Sequence, residues 1–200
     1  ELHGGGGDDF LDGGDGHDQL NGGRGADRIE AGAGDDDIWG GEGNDQVFAG
    51  AGFDEAWGDD GDDYLEGGDD RDTLRGGAGN DYLFAGAGLG EVLYGDAGDD
   101  ILIGSDDGAD TDPDFFDALL FGDRLDGGSG NDRIYALAGA DLILGGDGDD
   151  TIDSGLGADL VQAGTGDDVV FAGRGLGDVI HGEAGDDTLY GSNETPDQLF

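Results

Sequence analysis

Cysteine, methionine and lysine are all missing from the 200 residues, and proline occurs only twice. Without cysteine there is neither a disulfide framework nor a thiolate metal site. The seven basic residues are all arginine, set against 51 aspartates and glutamates, for a formal charge of −44. A surface of that sign repels phosphate, which excludes a nucleic-acid binder and disfavours an anionic membrane surface. No apolar run nears the ~18 residues of a spanning helix, and no basic-then-apolar leader opens the chain. The start at Glu1-Leu2-His3, with no methionine, reads as an excerpt of something longer. Thr and Ser are few, six and four, and form no ladder, which rules out an ice-binding solenoid face.

Glycine, at 49 positions, and aspartate dominate instead, and they recur with a period of nine. From Gly4 the chain divides into GGGGDDFLD, GGDGHDQLN, GGRGADRIE and onward, eighteen units of the form G-G-x-G-x-D-x-U-x with U a large aliphatic residue. Eleven units run from Gly4 to Ile103 and seven from Gly127 to Tyr190; those starting at Ala85 and Ala172 hold ten residues. Residues 40–103 repeat at 127–190 with an offset of 87. The organisation expected is therefore a first array over 1–103 and an interruption with one degenerate row over 104–126. A second array follows over 127–190, and a second, truncated interruption over 191–200.

The glycines at positions one, two and four permit positive φ and are expected to form turns. The x-U-x half is expected to be a three-residue strand with one aliphatic residue pointing inward. Two units then make one 18-residue coil, and stacked coils make two facing parallel sheets over a thin aliphatic core. One buried aliphatic per nine residues does not offset the entropy of ordering the chain, and −44 charges repel one another. A cation is needed. Aspartate is fixed at the end of each turn, beside turn carbonyls, and an all-oxygen flexible site of this kind suits Ca²⁺ rather than Mg²⁺. Zinc would call for His or Cys, and His3, His17 and His181 are scattered surface residues.

GGDGHD, GGEGND, GGAGND, GGSGND and GGDGDD resemble the hemolysin-type calcium-binding repeat of the RTX (repeats-in-toxin) family. The resemblance covers about four-fifths of the chain. It implies an all-β, right-handed parallel β-roll with calcium between consecutive same-side turns, held by turn carbonyls and the position-six aspartates. It also implies type I secretion to the cell exterior or surface, with folding on contact with extracellular calcium. Carried over, the metal ligands are Asp9, Asp18, Asp27, Asp36, Asp45, Asp54, Asp63, Asp72, Asp81 and Asp100, then Asp132, Asp141, Asp150, Asp159, Asp168, Asp178 and Asp187. Asp72, Glu91 and Asp123 are the doubtful members, because Asp70 and Arg71 distort one turn, Glu91 lengthens one arm and Asp123 lies in the degenerate row. Each ion needs two turns 18 residues apart, which allows about a dozen ions and about fourteen at most.

No catalytic residue is expected, since carboxylate pairs stand in every turn and none is singular. Two parents suit such a segment. One is a secreted or surface adhesin-like tandem array. The other is a secreted protease, lipase, epimerase or cytolysin whose catalytic part lies outside this chain and whose secretion and folding domain this is. Trp39 and Trp57, 18 residues apart at position nine, are expected to stack on one outer face. That face could contact protein or glycan, or merely brace the sheet. The stretch Asp106–Asp117 reads as a partner-binding loop or a tolerated insertion in which Phe115 and Phe116 cap the core.

Overall fold

The structure, a computed structural model, describes residues 1–105, 122–174, 177–192 and 197–200. The expectations for Asp106–Asp117 lie outside them. Every regular element described is a strand. Strands alternate between two parallel sheets of eleven and ten strands, so each coil contributes one strand to each. Within a sheet the register advances by whole repeats: Leu2 pairs with Leu20, Leu11 with Ile29, and Leu20 with Ile38.

The position-eight side chains build the core that the repeat predicts. Seventeen of the eighteen, from Leu11 to Ile180, are buried in one continuous cluster, and Leu189 packs against its end. Leu125, in the degenerate row, is fully buried with them. The solenoid does not stop at the interruption. Strand Val92–Ala97 pairs with Arg124–Ser129, and Ile101–Ile103 pairs with Arg133–Tyr135.

Two local expectations need correction. Most strands hold six residues rather than three, as in Phe10–Asp15 and Asp37–Glu42, because pairing continues through positions one to three. The first glycine is therefore extended, and in the nine-residue units the second and fourth positions lie at positive φ, as Gly32 (113°) and Gly34 (132°) show. In the ten-residue units the extra Gly90 and Gly177 do so. Position one excludes larger side chains for a different reason. A Cβ on Gly40 would lie 2.6 Å from Asp45 Oδ2 and 2.8 Å from the Gly58 carbonyl oxygen. The non-glycine residues that do enter positive φ are Asp59, Asp96, Leu137 and Glu183 at position two and Asp70 at position four.

On the outer face Trp39 and Trp57 stack as expected, ring centroids 5.2 Å apart and planes 3° from parallel. Their ring planes face each other along the ladder. Elsewhere guanidinium groups cover aromatic rings, Arg28 lying 4.2 Å over Phe48 and Arg75 lying 4.5 Å over Tyr94.

Candidate metal centre

The fold sorts the position-six carboxylates into two columns, one along each side of the flattened solenoid. Turns leaving the eleven-stranded sheet carry Asp9, Asp27, Asp45, Asp63, Asp81, Asp100, Asp132, Asp150, Asp168 and Asp187. Turns leaving the ten-stranded sheet carry Asp18, Asp36, Asp54, Asp72, Glu91, Asp123, Asp141, Asp159, Asp178 and Asp197. All the residues that the repeat predicts as ligands thus fall into line, and Asp197, which the repeat did not single out, completes the second column.

Within the first column each carboxylate reaches back one coil. The Asp9 amide donates to Asp27 Oδ1 at 2.7 Å, Asp27 to Asp45 at 2.7 Å, and Asp45 to Asp63 at 2.7 Å. The chain of contacts crosses the interruption without a break, the Asp100 amide donating to Asp132 Oδ1 at 2.8 Å across 32 residues. It ends with Asp168 donating to Asp187 at 3.0 Å. The second column repeats the pattern from Asp18 to Asp72 and from Glu91 to Asp197. Its one missing link lies between Asp72 and Glu91. There the longer glutamate turns aside, its Oε2 accepting from the Ser105 hydroxyl at 3.2 Å.

In the regular turns one carboxylate oxygen is typically used in this way, and the other is stranded. Oδ2 of Asp27, Asp36, Asp45, Asp54, Asp63 and others in both columns is buried with no hydrogen-bond partner. Nor does an arginine neutralise them: the arginine ion pairs among described residues join Arg24 to Glu42, Arg28 to Glu30, Arg75 to Asp96 and Arg124 to Asp126, all outside the columns. Burial pushes these carboxyls up: Asp54 and Asp132 to about 6, Asp63, Asp81, Asp100 and Asp150 to about 7, and Asp72 to about 8. The backbone amide each one accepts pulls the other way and does not overcome the desolvation.

Rows of buried carboxylates, most with an unpartnered oxygen beside backbone carbonyls, have the chemistry that a cation would neutralise. Among the described residues no group of three or more acidic or histidine side chains converges on one point. An ion there would be held by two carboxylates at most and would complete its shell with carbonyls. Hard oxygen ligands in a flexible, carbonyl-rich set fit Ca²⁺.

A second ladder escaped the nonapeptide reading. Position-five side chains of the first column reach forward, opposite in sense to position six. Asn44 Oδ1 accepts the Asp62 amide at 3.1 Å, Asp62 the Asn80 amide at 2.9 Å, and Asn80 the Asp99 amide at 2.9 Å. Sorting the chain by 18 rather than nine exposes the signal. Position five is Asp or Asn in nine of ten first-column turns, the exception being Ala26, and only Asp35 provides one in the second column's described turns.

The model of the RTX calcium-binding nonapeptide repeat matches residues 1–29, 21–56, 57–89, 90–111, 120–152, 144–176 and 177–194. The chain belongs to this RTX calcium-binding repeat family. No curated protein matches it closely enough to add a relative. As in other members of the RTX family, the repeats here are calcium-binding repeats arranged as a β-roll, a structural element rather than a catalytic one.

Proposed function

We propose that this segment is a calcium-driven folding module of a secreted or surface-exposed protein, in which each ion replaces the countercharge that the stacked turns lack. The observation that carries the reading is the row of buried, partnerless Oδ2 atoms with no arginine ion-paired to them among the described residues. The ligands are the position-six carboxylates and neighbouring turn carbonyls. The chemistry that calcium supplies is charge neutralisation and cross-linking of consecutive coils.

Within the chain, the aliphatic stack holds the coils in register and the amide-to-Oδ1 contacts orient every carboxylate. The glycine-lined turns keep carbonyl oxygens accessible. The intervals between successive carboxylates number nine in the first column. Five more in the second column have an orienting contact and involve neither Glu91, Asp123 nor Asp197: 18/36, 36/54, 54/72, 141/159 and 159/178. Nine plus five gives about fourteen ions.

Because ions bind the folded roll and not the coil, stability rises with each filled site and folding is steep in calcium. The repeated 87-residue module favours a tandem, adhesin-like array as the parent. Export as an unfolded chain and folding outside the cell follow from the same linkage.

A calcium titration monitored by circular dichroism tests the reading. A coil spectrum in chelator should give way to a strand spectrum at millimolar calcium, with magnesium ineffective. A strand spectrum indifferent to excess chelator overturns it.

A further inference from the structure

Both interrupted turns begin with the same dipeptide, Gly104-Ser105 and Gly191-Ser192, 87 residues apart. Each interruption ends at the carboxylate of its row, Asp123 and Asp197. In both, the serine closes on that carboxylate. The Ser105 amide donates to Asp123 Oδ2 at 2.7 Å, and its hydroxyl lies 3.1 Å from the same oxygen. The Ser192 amide likewise donates to Asp197 Oδ2, with its hydroxyl 3.4 Å from Oδ1. The oxygen stranded in the regular turns is thus engaged in both interrupted ones.

From this recurrence we infer that the Gly-Ser pair is a metal-free clamp, which closes insertion-bearing turns and withdraws Asp123 and Asp197 from calcium. The inference rests on the calcium reading above and refines it. An N–H aimed at Oδ2 places a proton where a cation would have to approach, and calcium needs that lone pair at about 2.3–2.6 Å. At Asp123 the remaining oxygen is also committed, accepting the Glu91 amide at 3.0 Å. Ser105 is buried, 1 % exposed, and its hydroxyl also bridges to Glu91 Oε2 at 3.2 Å, so one serine satisfies two neighbouring acids that would otherwise repel. The clamp gives a physical reason why the roll tolerates an insertion at this point of the module. The turn is tied by its first residues and its last.

Substitution by asparagine separates the clamp from a ligand, since the amide oxygen still accepts from serine but the charge is gone. Asp123→Asn and, independently, Asp197→Asn should keep the wild-type number of bound calcium ions, counted by equilibrium dialysis with radioactive calcium at saturation. Their folding midpoints in calcium should move less than about twofold. Asp63→Asn, which serves two regular intervals, should lose one or two ions and raise the midpoint severalfold. Loss of calcium from Asp123→Asn or Asp197→Asn comparable to that from Asp63→Asn, in protein still strand-rich by circular dichroism, overturns the clamp. If Asp63→Asn also keeps every ion, the position-six calcium reading fails and the clamp falls with it.

Discussion

Asp45 stands for the residue-scale logic. It is 1 % exposed, one oxygen holds the Asp27 amide, and the other has no partner. On the proposed calcium reading, Asp45→Ala takes a ligand from two adjacent intervals and should raise the calcium midpoint at least about twofold, measured by circular dichroism. Asp12→Ala, at an exposed position nine, should leave it unchanged. Protons compete for the same oxygens. The raised values of about 6 to 8 mean that the calcium-free roll holds protons more tightly than the coil does. Protonation therefore favours the folded state fully below the ordinary carboxylate value near 4, and the benefit disappears as pH rises through 6 to 8. In chelator, strand signal should appear on acidification to below about pH 4 and be absent at pH 8. In calcium, the midpoint concentration should fall as pH rises from 6 to 8.

At the scale of the single coil, packing and turn stitching are separable. Leu83 is fully buried between Leu65 and Leu102, so Leu83→Ala should cost about 2–5 kcal/mol in calcium-saturated denaturant unfolding. Asn80→Ala deprives the Asp99 amide of its acceptor and should cost about 1 kcal/mol in the same assay. Period nine made the inward aliphatics and the position-six acids readable, because both occur in every unit and both columns need them. Features belonging to one column only were averaged away. The position-five ladder is one, and the preference for Gly at position one, nine of ten turns in the first column against four of ten in the second, is another. The first glycine reads as a turn residue in sequence because glycine's two uses, positive φ and the absence of a Cβ, look alike there. Asp197 and Leu199 were hidden because the interruption before them breaks the count, although the Gln198 amide still finds the Asp178 carbonyl at 2.9 Å.

For the whole molecule, the contact between Asp100 and Asp132 makes the two arrays consecutive parts of one column. Calcium-driven folding should therefore spread across the interruption and give one transition rather than two when followed by amide exchange. At −44 the chain calls for the neutralisation that bound divalent cations bring. The most direct test is an anomalous-difference map from crystals grown in calcium. Peaks should stand between successive carboxylates of the first column, from Asp9/Asp27 through Asp168/Asp187, with none against Asp123. An ordered roll whose turns carry no such peaks would contradict the account.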